Sequence, residues 1–180
     1  MTADRAPRIA PGRLSELGPL NWMLCRVISR VAGVPDAHLF STLGRQRGLF
    51  RGWLVFASRL MPAGTLSRRE TELVILRVAH LRDCSYERQH HERLGRRAGL
   101  DAADLARVQE GPAAEGWSAR DQALLAGVDS LVRHKTLDDA CWDALRAHYD
   151  ERQLIELCLL VGHYEMLATT IAALRIAPDA

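Results

Sequence analysis

Lysine is almost absent from this 180-residue chain: Lys135 is the only one, and arginine carries the rest of the basic charge. Aromatic residues make up only 6% of the sequence, and the formal net charge is only +2. Arginines alternate with acidic residues, and no basic stripe with interleaved aromatic residues is present, so we do not expect nucleic-acid binding. Arginine used in place of lysine, together with abundant alanine, is typical of a GC-rich bacterial genome.

The chain also lacks an uninterrupted hydrophobic run of membrane-spanning length. The longest apolar segment, residues 154–176, contains Glu156, His163 and Glu165. Polar and ionisable side chains are costly inside the hydrocarbon of a bilayer. We therefore expect a buried or subunit-interface helix here, and no membrane association.

Cysteine is scarce and unpaired in its spacing. The four cysteines lie far apart in the sequence, at Cys25, Cys84, Cys141 and Cys158. Such spacing supports neither a zinc ribbon nor a disulfide framework. The sequence therefore predicts a cytoplasmic protein with reduced thiols.

Glycine and proline divide the chain into helical segments, and no segment shows the alternation of a strand. Residues 1–13 are polar, contain proline and lack an apolar stretch of signal-peptide length, so we expect a flexible tail followed by a single domain over 14–180. Three glycines in segment 38–60 suggest two helices there. Ser67 followed by Glu70 is a capping-box pattern that starts another helix. The predicted fold is all-α.

The most informative stretch is residues 67–100, where two helical segments are separated by a turn near Asp83, the predicted N-cap of the second helix. Cys84, Glu87 and His91 are spaced i, i+3 and i+7, so they share one helix face. Glu72 lies about as far before the turn as His91 lies after it. In an antiparallel helix hairpin Glu72 and His91 face each other. The contact line between the two helices, called the seam, is therefore predicted to carry Glu72, Cys84, Glu87 and His91.

These residues resemble the carboxymuconolactone decarboxylase superfamily, which includes the alkylhydroperoxidase D (AhpD) proteins. Redox-active members carry a glutamate, eleven residues, Cys-x-x-Cys, three residues and a histidine. This chain has the same spacing from Glu72 through Cys84 to His91, but Glu87 stands at the second cysteine. The resemblance covers roughly residues 35–175.

The resemblance implies an AhpD-like helical bundle, assembly into trimers or hexamers, a small-molecule substrate, and no metal or cofactor. In redox members the second cysteine attacks the peroxide and the first forms the disulfide, while the glutamate and histidine relay the proton. Carried over, Glu72 and His91 keep the relay and Cys84 keeps the resolving position. The attacking thiol is replaced by Glu87.

Three functions follow from this pattern. One is a peroxide- or thiol-directed oxidoreductase using Cys84 with Glu72 and His91, for which the helix N-terminus favours the thiolate and Glu87 opposes it. Another is a cofactor-free decarboxylase or related acid–base enzyme on a small organic acid, using His91 and both glutamates. The third is a non-catalytic member that binds a small molecule or partner.

Other polar residues have weaker claims on the site. Tyr86, His163 and Tyr164 are candidates for lining the substrate pocket, although helix packing explains them equally well. Glu72, Glu87 and His91 are also residue types that bind metal ions, but the resemblance argues against a metal. We interpret the arginines that begin this hairpin, Arg68, Arg69 and Arg77, as surface or interface charges.

Overall fold

The computed structural model describes residues 6–179, and within them the regular structure is entirely helical, which confirms the all-α prediction. The helices are α1 (Leu14–Ala32), α2 (His38–Leu43), α3 (Arg47–Leu60), α4 (Arg68–Leu81), α5 (Ser85–Arg97), α6 (Ala102–Glu110), α7 (Ala119–His134), α8 (Asp139–Arg146) and α9 (Glu151–Leu174). The first five residues of the predicted tail lie outside the described residues.

Side-chain caps begin several of these helices where the sequence places Ser or Asp. The Ser67 hydroxyl accepts the N–H of Glu70, and the Glu70 carboxylate accepts the N–H of Ser67, so the predicted capping box of α4 is formed. The Ser118 and Asp138 side chains accept the N–H of Asp121 and of Cys141 at the starts of α7 and α8. These local bonds explain why the helix starts could be predicted from sequence.

The chain divides into two compact units, each described separately. The first comprises residues 6–59 and 169–179. Within it, α1 is kinked because Gly18 adopts a positive φ of 72° before Pro19. Segment 38–60 forms two helices, as predicted. Its small core contains Leu17, Cys25 and Phe50, with Leu24, Phe40, Leu43, Trp53 and Leu54 packed against them.

The second unit, residues 60–168, is built around α4, which packs against α5, α6 and α7. Apolar residues of α4 such as Leu73 and Ile75 are fully buried. Arg77 is also buried, and it forms a two-pronged ion pair with Asp129 at 2.6 and 2.8 Å. The interpretation of Arg77 as a surface charge is therefore wrong, because its partner comes from α7, which the sequence of α4 does not reveal.

A buried carboxylate on α9 organises the loop that leads into α4. Glu156 accepts the N–H and hydroxyl of Thr65, both at 2.5 Å, and the N–H of Leu66 at 3.2 Å. Gly64 lies so close that a Cβ there would overlap the Glu156 carboxyl. These bonds place the start of α4 and explain why an acidic residue sits in the most apolar helix.

By length and hydropathy alone, α9 is the one helix within residues 6–179 that could cross a membrane. Its ionisable residues Glu156 and Glu165 nevertheless make contacts within the second unit, to which both belong. Glu156 holds the loop before α4, and Glu165 lies 2.7 Å from Lys135 Nζ. Such contacts are typical of the core helix of a compact helical domain.

Candidate functional site

The turn between α4 and α5 places one end of the site. Asp83 adopts a left-handed conformation with φ of 49°, and its N–H donates to His80 O at 3.1 Å. The N–H of Cys84 donates to Ala79 O at 2.8 Å, which completes a Schellman motif. The N-cap of α5 is therefore Cys84 and not Asp83. Asp83 cannot fill that role because an N-cap needs an extended backbone.

Across the hairpin, His91 on α5 meets Glu72 on α4. His91 Nδ1 lies 2.8 Å from Glu72 Oε2, and both side chains are buried, Glu72 completely. A carboxylate can only accept, so the pair places the proton on Nδ1 and leaves Nε2 of a neutral imidazole as a base. This is the geometry of an imidazole oriented by a carboxylate.

Glu72 has a second partner that the sequence analysis did not assign to the site. Arg68 Nη2 lies 2.6 Å from Glu72 Oε1, at an angle that makes an ion pair and not a regular hydrogen bond. The Arg68 side chain is 37% exposed, whereas Glu72 is 0% exposed, so the guanidinium joins the buried pair to the surface. The i, i+4 spacing of Arg68 and Glu72 is the signal that could have identified it.

Among the carboxyl and imidazole groups of the seam, Glu87 has the fewest hydrogen-bond partners. It is buried, and neither carboxyl oxygen accepts a hydrogen bond of regular geometry from the described residues. Burial raises the pKa of the Glu87 carboxyl to about 8, and only the nearby Cys84 thiol, a weak donor, acts to lower it. The carboxyl is therefore largely protonated at neutral pH.

Cys84 lies beside Glu87 and is also buried. Burial raises the pKa of the Cys84 thiol to about 12, and the Glu87 carboxyl is the second cause. The N–H groups of Tyr86 and Glu87 at the start of α5 favour the thiolate, but their effect is smaller. The sequence did not decide between the helix N–H groups, which favour the thiolate, and Glu87, which opposes it; with burial included, the neutral thiol is favoured. All four cysteines are free.

Of the three weaker pocket candidates, the structure brings Tyr164 to the seam. The Tyr164 ring meets the His91 ring edge to face, with centroids 5.1 Å apart. Burial, together with Glu87 and Glu72, holds the pKa of Tyr164 well above its ordinary value. His163 packs against Tyr164 at 5.2 Å, and burial lowers the pKa of His163 to about 4. Tyr86 is buried and pairs with His90.

No group of three or more His, Cys, Asp or Glu side chains within residues 6–179 is arranged to hold a metal ion. A cavity of about 540 Å³ lies in the first unit. Its lining residues come from α1 and the loop after it: Trp22, Met23, Arg26, Val27, Ser29, Arg30, Gly33, Val34 and Pro35. The reactive seam itself is densely packed, with Glu72, Glu87 and His91 all less than a tenth exposed.

Comparison with known proteins agrees with this architecture. Residues 47–129 match the sequence profile of the Carboxymuconolactone decarboxylase family, a range that includes the whole α4–α5 hairpin. No curated protein sequence matches the chain.

Solved structures share the fold at low sequence identity. A peroxidase-related protein from Ralstonia eutropha with an alkylhydroperoxidase AhpD core superposes with a TM-score of 0.85 at 17% identity, covering 98% of this chain and 94% of that one. A peroxidase-related protein from Silicibacter sp. gives 0.81 at 16% identity, with 100% and 96% covered. The debrominase Bmp8 gives 0.77 at 16% identity, with 96% and 92% covered. Residues 47–129 thus match the profile of the Carboxymuconolactone decarboxylase family, and the chain has the fold of these AhpD-like structures.

Proposed function

We propose that this protein is an acid–base enzyme that acts on a small organic acid, with Glu87 as the proton donor and the His91–Glu72 pair as the base. The observation that carries the proposal is a buried carboxyl, without a hydrogen bond of regular geometry and with its pKa raised by burial, on the same seam as a carboxylate-oriented imidazole. When neighbouring titratable groups have environments that move their pKa values apart, one can act as an acid and the other as a base, which suits general acid–base catalysis.

A decarboxylation illustrates how these groups would act. The bond between the substrate carbon and its carboxylate breaks, carbon dioxide leaves, and the electron pair moves into a conjugated carbonyl to form an enolate. Glu87 gives its proton to the carbon, and the resulting carboxylate regains a proton from water through His91 Nε2. The net reaction consumes one proton and needs no oxidant or reductant.

The decisive experiment replaces Glu87 by glutamine, which keeps the shape of the neutral acid but cannot give up a proton. Carbon dioxide release from a panel of carboxylated lactones and related acids is measured for wild type, Glu87→Gln and the control Glu92→Gln on the same helix. Loss of a general acid lowers kcat by roughly 100-fold or more. Unchanged turnover of every acid by Glu87→Gln would end the proposal.

The second candidate is a thiol peroxidase that uses Cys84. It is favoured by the N–H groups of Tyr86 and Glu87 at the sulfur, which help a thiolate form despite burial. The thiolate would attack a hydroperoxide, the O–O bond would break, and the products would be an alcohol and a sulfenic acid at Cys84. A second thiol, from another cysteine or a small thiol, would then displace water to form a disulfide.

Intact-mass spectrometry after treatment with an organic hydroperoxide tests this candidate, with Cys84→Ser as the control. A gain of one oxygen, or a disulfide that requires Cys84, supports it. A mass unchanged in wild type argues against it. A protein with neither activity corresponds to the non-catalytic alternative, a small-molecule-binding member of the family.

We also propose that the protein is a bacterial cytoplasmic homo-oligomer, a trimer or hexamer. Four free thiols suit a reducing compartment. On α9, Ile155, Leu159 and Met166 are exposed although apolar. These residues repeat at helical spacing on one face, which is the pattern of a helix that packs against another copy.

A further inference from the structure

Arg68 is a partly exposed charged group that contacts the buried seam. Its guanidinium contacts Glu72 Oε1, its side chain is more than one third exposed, and it acts electrostatically on Tyr164. The Tyr164 side chain is influenced by Glu87 and Glu72 as well, so Arg68 belongs to the same cluster of groups. A guanidinium has five donors, and the ion pair with Glu72 uses only one edge of it.

A second observation points to a ligand in this cluster. Glu87 is only 3% exposed, yet neither of its carboxyl oxygens accepts a hydrogen bond of regular geometry. Buried polar groups without partners are uncommon, and each calls for a ligand, a water or a catalytic role. The same cluster thus contains a cation, Arg68, with free N–H donors, and a neutral acid, Glu87, that lacks hydrogen-bond partners of regular geometry.

We propose that Arg68 is the anchoring residue for the substrate and that it selects small organic carboxylates. The substrate carboxylate pairs with the guanidinium and shares it with Glu72, or displaces Glu72 from it, because arginine binds carboxylates through two parallel N–H bonds. This places the rest of the acid near His91 and Glu87. The inference deepens the proposed function and rests on it for the chemistry that follows binding.

In a decarboxylation the anchored group is not the one that leaves. A guanidinium stabilises the ionised carboxylate of the bound substrate, and stabilisation of the ground state opposes loss of carbon dioxide. The departing carboxylate must therefore lie on the Glu87 side of the seam, away from Arg68. Arg68 acts as a positioning residue for binding, and its loss should raise KM more than it lowers kcat.

The test titrates the protein with sodium acetate at constant ionic strength and follows the His91 imidazole signals by NMR. Acetamide, the neutral analogue, and sodium chloride are titrated in parallel. Wild type is compared with Arg68→Gln and with Arg96→Gln, which removes the same charge from an exposed site on α5. We expect saturable shifts with acetate in wild type and Arg96→Gln, and binding weaker by about tenfold or more in Arg68→Gln.

Three outcomes would overturn the inference: acetate affinity that survives in Arg68→Gln, an equal response to acetamide, or an equal response to chloride. If Arg68→Gln does not fold, as judged by circular dichroism, Arg68→Lys replaces it, and binding as tight as wild type again overturns the bidentate anchor. The result is independent of the Glu87→Gln turnover assay. If acetate does not bind through Arg68 but turnover depends on Glu87, only the role of Arg68 is wrong. If acetate binds through Arg68 but no acid is turned over, only the proposed enzymatic activity is wrong.

Discussion

Glu87 lies one helical turn after Cys84, and its carboxyl opposes ionisation of the thiol. Burial alone would keep both groups neutral, and their proximity adds to the cost of charging the second once the first is ionised. The carboxyl, whose pKa burial raises to about 8, loses its proton long before the thiol, whose pKa lies at about 12. The acid is therefore the more available proton donor of the two at neutral pH.

Glu87 should make stability fall as pH rises. Its pKa is about 8 in the folded protein and about 4.3 in an unfolded chain, so between these values the folded state holds the extra proton. The contribution of the neutral acid to the free energy of unfolding is fully present below about pH 4.3. It decreases between about pH 4.3 and pH 8, by at most about 1.4 kcal/mol per pH unit. Glu87→Gln should not show this decrease. Its free energy of unfolding in urea, relative to that of wild type, should therefore increase from pH 5.5 to 7.5.

The control for this experiment is Glu92→Gln, which removes a carboxyl from a less buried position of α5. Its difference from wild type should stay nearly constant with pH. Contributions from groups that the substitutions leave unchanged cancel in each comparison. Parallel stability curves for wild type and Glu87→Gln would show that the buried acid is not held neutral.

Cys84 should be a slow thiol. At pH 7.5 iodoacetamide should label the partly exposed Cys141 faster than the buried Cys84, because only an accessible thiolate reacts. Peptide mapping by mass spectrometry over a time course measures both rates in one sample. Glu87→Gln should accelerate labelling of Cys84 above pH 8, where the wild-type carboxylate is charged. Labelling of Cys84 before Cys141 would contradict the assignment and favour the peroxidase candidate.

The Arg77–Asp129 pair should be the most sensitive electrostatic contact in the second unit. Arg77→Met leaves Asp129 buried without its main partner, which costs about 3–5 kcal/mol. Arg133 also lies near Asp129, at 3.3 Å, but it is exposed, so Arg133→Met should cost only about 0–1 kcal/mol. Urea unfolding compares the two variants. Equal costs would mean that the buried pair has no special role.

The apolar face of α9 should hold the oligomer together. Leu159→Glu places a charge on this face and should shift the molar mass, measured by size-exclusion chromatography with light scattering, toward the monomer. Arg96→Glu, at an exposed site on α5, should leave the mass of the assembly unchanged. A monomeric wild type would rule out the proposed assembly, whatever the variants do.

Local patterns predicted the helices and the register of the hairpin because they depend on nearby residues. The capping box at Ser67 and the glycines of segment 38–60 each involve contacts within a few positions, and both expectations were confirmed. Glu72 faces His91 because spacing from a single turn determines which residues are opposite in an antiparallel pair. The error of one residue at the α5 N-cap arose because Asp83 is needed to close α4.

The sequence by itself determined an all-helical chain and the set of groups on the seam, since periodicity, caps and motif spacing depend on residues close together in the sequence. Only the tertiary structure decided their protonation and partners. Burial against neighbouring helices holds Glu87 neutral and gives Arg77 its Asp129 partner, while α9 brings Tyr164 to His91. Desolvation and long-range pairing depend on which helices pack together, and no spacing within one helix encodes that.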